Sequence, residues 1–127
     1  MSRSSLHVTD GCRPATEIFL RIGDKWTLIV VAHLWSGRSR RFTELLHDIP
    51  DISQRMLTAT LRDLERDGLV RRTVTPASRV RVDYQLTELG LSLGESVRVL
   101  GHWAADNHAA IAASRSEFDQ RQDALAW

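Results

Sequence analysis

Residues 52–87 read ISQRMLTATLRDLERDGLVRRTVTPASRVRVDYQLT and decide the fold, because the hydrophobic period changes within them. The first half carries an apolar stripe at helical spacing, made by Leu57, Leu61 and Leu64. Ser53 precedes the stripe and favours a helix N-cap, and Gly68 follows it and suits a helix C-terminus. These signals predict one helix between Ser53 and Gly68.

The second half of this stretch has the period of a β-strand. Apolar side chains alternate with polar ones, at Val80, Val82, Tyr84 and Leu86. Residues 69–74 predict the partner strand, and residues 75–79 include Pro76 and are typical of a turn. We therefore expect a β-hairpin directly after the helix.

Further helices are predicted on both sides of this stretch. Upstream, periodic apolar segments begin at Pro14, Lys25 and Thr43 and end near Gly23, Trp35 and Asp48. Downstream, Thr87 is expected to cap a last helix with an apolar stripe of Leu89, Leu93, Val97 and Leu100. The order helix, helix, short helix, helix, hairpin, helix predicts a mainly α protein with a small β-hairpin wing, a winged helix-turn-helix.

Composition restricts the function further. The chain has 127 residues, a net charge of +1 and a single cysteine, which excludes a disulfide framework and a thiolate zinc finger. Residues 36–81 carry ten arginines and six acidic side chains, whereas residues 82–127 carry three arginines and seven acids. A basic middle segment favours a polyanionic partner. The sequence shows no catalytic motif, phosphate loop or paired metal ligand, so we expect a protein that is not an enzyme and needs no cofactor or metal. It shows no membrane span and no secretory segment, so we expect a cytoplasmic location.

Candidate DNA contacts lie opposite the leucine stripe and on the hairpin. Arginine can pair with guanine and glutamine with adenine, and small side chains can meet the thymine methyl group. The expected contacts on or beside the helix are Ser53, Gln54, Arg55, Thr58, Ala59 and Arg62. Those on the wing are Arg79 and Arg81, and those before the third helix are Arg40 and Arg41. The alternative is that these side chains are ordinary solvated surface.

Three segments of the sequence resemble the HxlR-type regulators, a MarR-related branch of bacterial winged helix-turn-helix proteins. They are Ile22-Gly23-Asp24-Lys25-Trp26, then Arg40-Arg41-Phe42 with Glu44-Leu45, and the pattern from Ile52-Ser53 through Gly68-Leu69-Val70 to Val82-Asp83-Tyr84 and Leu86-Thr87. The resemblance covers about residues 12–104 and implies a dimeric DNA-binding transcription regulator. The wing departs from it, with Arg79-Val80-Arg81-Val82 where many relatives have Pro-Pro-Arg-Val.

The residues and the resemblance together set expectations for the two ends of the chain. We expect an arm at residues 1–11, the HxlR-type domain at 12–104 and a C-terminal helical extension at 105–127. The terminal helices are expected to form a homodimer on an inverted-repeat operator. Cys12 matches a cysteine that senses oxidants or electrophiles in some relatives, and Arg13 beside it would favour the thiolate. The alternative is an inert residue near the dimer interface, because the second cysteine of some relatives is missing.

Three functions therefore remain open at this point. The first is a sequence-specific regulator that binds double-stranded DNA, with a redox signal or a small ligand as its effector. The second is a winged-helix module that binds protein rather than specific DNA. The third is a small enzyme, which the lack of a catalytic motif disfavours. Steep salt dependence of duplex binding would distinguish the first from the second.

Overall fold

A computed structural model describes residues 13–76 and 79–125. Its elements confirm the expected order of helices around a β-hairpin. In chain order they are α1 (Arg13–Ile22), α2 (Lys25–His33), β1 (Arg40–Arg41), α3 (Phe42–Asp48), α4 (Gln54–Arg66), β2 (Val70–Thr75), β3 (Arg81–Leu86) and α5 (Glu88–Leu125). None of the helices within these ranges has the length and apolar content needed to span a bilayer.

Helix α2 passes through the centre of the core. The Asp24 carboxylate caps its start by accepting hydrogen bonds from the backbone N–H groups of Trp26, at 2.8 Å, and Thr27, at 3.3 Å. Val30 and Val31 are fully buried. The helix ends at His33, two residues before the predicted end. The rest of the core comes mainly from α3, α4 and the sheet, through Leu45, Ile49, Leu57, Leu61, Leu64, Val70, Tyr84 and Leu86.

A left-handed glycine turns the chain from α4 into the sheet. Gly68 has φ +79°, a conformation that side-chain-bearing residues rarely adopt. Its N–H donates to the carbonyl of Glu65 at 3.0 Å, and the N–H of Leu69 donates to the carbonyl of Leu64 at 2.9 Å. This is a Schellman motif, and it confirms the helix end that the sequence predicted.

The sheet has three antiparallel strands in the order β1-β3-β2. Val70 pairs with Leu86 at one end of the hairpin and Thr75 pairs with Arg81 at the other. The two-residue strand β1 adds a third strand to the outer side of β3. The prediction that Val80 belongs to the half-buried strand is wrong. Val80 precedes β3 and is largely exposed.

Helix α5 begins at the predicted cap and packs closely on the core. The Thr87 hydroxyl accepts a hydrogen bond from the N–H of Gly90 at 3.1 Å and donates one to the carbonyl of Gly68 at 2.7 Å. Gly94 faces Trp35 so closely that a Cβ at this position would lie 2.5 Å from Cε3 of the indole. The absence of a side chain at Gly94 therefore lets the helix contact the core at short range.

Beyond this contact α5 extends away from the core. The helix has 38 residues, which corresponds to about 57 Å, and it continues without a break through residues 104 and 105. The predicted apolar stripe is divided by the fold. Leu93 and Val97 pack against the core, whereas Leu89 and Leu100 are exposed.

Candidate nucleic-acid interface

Helix α4 starts at a cap that holds its first turn. The Ser53 hydroxyl accepts a hydrogen bond from the N–H of Met56 at 3.0 Å, which confirms the predicted N-cap. The buried residues Ile49 and Ile52 anchor the connection between α3 and α4 on either side of Pro50 and Asp51. Asp51 has φ +65°, in the left-handed region that aspartate tolerates better than most residues. The start of α4 is thus fixed by its own cap and by two core side chains.

The two sides of α4 differ sharply in exposure. The leucine stripe is buried against the core, as predicted. The opposite side is exposed and carries all five of the expected helix contacts, namely Gln54, Arg55, Thr58, Ala59 and Arg62. The Thr58 hydroxyl donates a hydrogen bond to the carbonyl of Gln54 at 2.8 Å. This face therefore presents two arginines, an amide and two small side chains to solvent.

The acidic end of α4 is bound to α1. Nη1 of Arg21 lies 3.3 Å from the Asp63 carboxylate, and its Nε lies 3.5 Å from the carboxylate of Asp67. Two acidic charges near the C-terminal end of the helix are thereby partly neutralised within the chain. Sequence spacing offers no signal for this bridge, because its two sides are more than forty residues apart.

Arg40 is bound on two sides within the chain. Its guanidinium forms an ion pair with the Asp48 carboxylate, and its Nη1 donates to the carbonyl of His33 at 3.3 Å. The side chain is only 19% exposed. The pKa of Asp48 lies below its ordinary value because of a hydrogen bond with His47 and the nearby positive charge of Arg40. Arg40 therefore joins β1 to α2 and α3, and its expected contact with DNA phosphates stays a prediction.

Arg41 has a different environment from its neighbour. Its backbone N–H donates to the Glu44 carboxylate at 2.8 Å, which caps α3, while its side chain is exposed. The side chain lines a groove of about 620 Å³ between the start of α3 and the wing, which consists of β2, β3 and their connection. Arg79 and Arg81 line the same groove. The fold thus brings together three arginines that lie up to forty residues apart in the sequence.

The two wing arginines are not equivalent. Arg79 is exposed and forms no ion pair with any residue in the described ranges. Arg81 is the first residue of β3 and lies opposite Thr75. Its Nε donates to the Asp83 carboxylate at 2.9 Å. The sequence analysis did not select Asp83. Its spacing from Arg81 was a usable signal, because residues two positions apart on a strand lie on the same face.

The candidate redox residue, Cys12, lies outside the described residues. The structure therefore does not test its accessibility or its distance from a second copy of the chain. Its role remains a prediction.

A capped helix with a buried stripe and an exposed polar side is followed by a wing lined with arginines. These features define a winged helix-turn-helix protein. The chain belongs to the HxlR-like helix-turn-helix family, which it matches over residues 21–112. This confirms the resemblance seen in the sequence.

Individual relatives agree with the family assignment. The chain is 40% identical over 107 residues to YybR of Bacillus subtilis, described as an HTH-type transcriptional regulator, and the match covers 84% of each protein. The fold is similar to that of ytfH from Salmonella typhimurium, with a TM-score of 0.74, 29% identity, and coverage of 81% of this chain and 91% of the other. It is also similar to the redox regulator HypR in its reduced form, with a TM-score of 0.72, 37% identity, and coverage of 79% and 98%.

Proposed function

We propose that this chain is a transcriptional regulator that binds double-stranded DNA sequence-specifically, as a homodimer on an inverted-repeat operator. The observation that carries the proposal is the two-sided character of α4. One side of the helix carries buried leucines. The other side is exposed and carries hydrogen-bonding and small apolar side chains, and the first turn of the helix is capped. In winged helix-turn-helix proteins this is the helix that enters the major groove.

The first turns of α4 carry the chemistry for reading base edges. Arg55 and Arg62 can each donate two parallel hydrogen bonds to guanine, and Gln54 can pair with adenine. Ala59 and the methyl group of Thr58 are small enough to contact thymine methyls. We assign sequence preference to this group of residues, with Ser53 holding the first turn in position.

Contact with the DNA backbone is assigned to the groove beside the wing. The groove is lined by Arg41, Arg79 and Arg81. Among the described residues, the guanidinium group of Arg81 is paired with Asp83, whereas those of Arg41 and Arg79 have no acidic partner. Arginines on a wing can bind phosphates or enter the narrow minor groove. These contacts position the protein on the duplex and supply affinity that is independent of sequence.

The apolar side chains left exposed on the terminal helices support a homodimer. Ile18 and Phe19 on α1 and Leu100 and Trp103 on α5 are each at least half exposed in the single chain. Large apolar groups of this kind are typical of a surface that another subunit covers. A two-fold dimer would place two copies of α4 on successive turns of the duplex, which explains why we expect an inverted repeat.

We further propose that an oxidant, an electrophile or another small molecule modulates DNA binding, with Cys12 as the candidate sensor. HypR, to which this chain is similar, is described as a redox regulator. A single thiol can form a sulfenic acid, a mixed disulfide or a disulfide between two subunits. As a DNA-binding regulator, the chain would act in the cytoplasm without catalysing a reaction.

The test is duplex binding as a function of salt, combined with footprinting on the DNA upstream of the protein's own gene. A specific regulator should protect an inverted repeat and lose affinity steeply as salt rises, because phosphate contacts release counterions. Arg115→Ala removes an exposed arginine from the distal part of α5 and serves as the matched control for arginine substitutions in the interface. Protein that binds no duplex at low salt would instead support the alternative of a winged-helix module for protein partners.

A further inference from the structure

The outer face of the wing sheet carries an acidic side chain among basic ones. Strand pairing places Asp83 on the central strand β3, directly between Arg41 on β1 and Thr73 on β2. Arg81 lies two residues away on the same strand and therefore on the same face. The three strands contain five arginines and only this one acid.

The environment of Asp83 is costly for a carboxylate. Its side chain is 13% exposed, and one oxygen, Oδ2, accepts the hydrogen bond from Nε of Arg81. The other oxygen, Oδ1, is buried and accepts no hydrogen bond within the described part of the chain. A buried acceptor without a donor destabilises the folded state. Within the described residues, the hydrogen bond that this carboxylate makes is the one with Arg81.

The geometry of that contact leaves most of the guanidinium free. Arginine has five N–H groups, and the bond through Nε leaves the four on the terminal nitrogens for another acceptor. The Arg81 side chain is 50% exposed and lines the groove beside the wing. A guanidinium held in one orientation loses less conformational freedom when it binds a phosphate.

We propose that Asp83 is a positioning residue, which holds Arg81 by its Nε so that the terminal nitrogens present themselves to a DNA phosphate. The inference rests on the proposed function, since it concerns how the wing contacts DNA. Asp83 acts by orienting Arg81 and does not itself contact DNA, because a carboxylate that faced a phosphate would be repelled.

The test compares Arg81→Ala, Asp83→Ala, Asp83→Asn and the double variant Arg81→Ala/Asp83→Ala. Binding is measured to the operator and to a random duplex over a range of salt. Arg81→Ala should weaken both complexes by about three- to tenfold and reduce the salt slope by about 0.9, the value for one phosphate contact. Asp83→Ala should weaken both complexes by up to the same factor but change the salt slope less, because Arg81 keeps its positive charge. The double variant should be no weaker than Arg81→Ala alone.

Asp83→Asn separates orientation from charge. The asparagine carbonyl can still accept the Nε hydrogen bond, so this variant should stay within about twofold of the wild type. Arg81→Lys leaves Asp83 in place and keeps the positive charge but has no Nε–H to hold, so it should bind like Asp83→Ala. This second route keeps the test valid if Asp83→Ala proves unstable in thermal unfolding.

Several results would overturn the inference. Tighter binding by both Asp83 variants would make the carboxylate a competitor of the phosphate, and wild-type affinity of Arg81→Lys would show that charge suffices. A double variant much weaker than Arg81→Ala would mean that Asp83 acts through another group. These results differ from a failure of the proposed function, in which the wild-type protein itself would bind no duplex.

Discussion

Arg55 provides the sharpest test of how this protein reads DNA. It is the second residue of α4, it is exposed, and it forms no ion pair within the described ranges. A positive charge in the first turn of a helix opposes the helix dipole by about 0.3–1 kcal/mol. The residue therefore contributes nothing evident to folding, and replacing it should leave stability unchanged or slightly higher.

Binding should respond in the opposite direction. Loss of a bidentate arginine–guanine contact costs about 1–3 kcal/mol, which is about 5- to 150-fold in affinity. Arg55→Ala should therefore bind the operator more weakly by that factor and discriminate less between base pairs at one position of each half-site. Binding to random duplex should fall much less, because that affinity comes mainly from phosphate contacts.

The assay is a binding titration of Arg55→Ala on the footprinted operator, on operators changed at single base pairs and on random duplex. Arg115→Ala serves as the control for the loss of one positive charge, and thermal unfolding of both variants shows whether folding is retained. If Arg55→Ala binds the operator with wild-type affinity and the same base preferences, the assignment of α4 as the reading helix is refuted.

Three further predictions concern assembly, redox response and acid stability. Trp103→Glu should convert the dimer to a monomer by placing a charge in the apolar surface, and light scattering at micromolar concentration measures this; a wild-type protein that is already monomeric would contradict the proposed dimer. Peroxide or a quinone should lower operator binding reversibly in the wild type but not in Cys12→Ser, and an equal response of the two proteins would exclude Cys12 as the sensor. Because the pKa of Asp48 is lowered in the folded state, its stabilising effect is present above its ordinary pKa and is lost as pH falls. Thermal midpoints should therefore show the wild type more stable than Asp48→Asn near neutral pH. The difference should shrink as pH falls below the ordinary pKa of an aspartate, about 3.9, and a difference that does not shrink in acid would contradict this account.

Local signals in the sequence were sufficient for the order of the helices and the hairpin, and for the side of α4 that is proposed to read DNA. Ser53 caps α4, the glycine at 68 ends it, and the leucine stripe determines which side is buried. Each of these features depends on residues within one turn or one helix, so the physical rule acts over the same few positions that the sequence displays. The alternation predicted β3 correctly from Val82 to Leu86, but it failed at Val80, which precedes the strand and is exposed.

The partners of the charged side chains were decided only by the tertiary structure. Arg40 and Arg41 are adjacent and chemically identical, yet one is tied to Asp48 and the other faces the groove beside the wing. The difference arises because neighbouring residues on a strand point to opposite faces, and the pairing of β1 with β3 determines what lies on each face. Arg21 of α1 is likewise paired with Asp63 and Asp67 at the far end of α4, more than forty residues away. Charge pairing across segments depends on strand register and helix packing, and neither can be read from the composition or spacing of one segment.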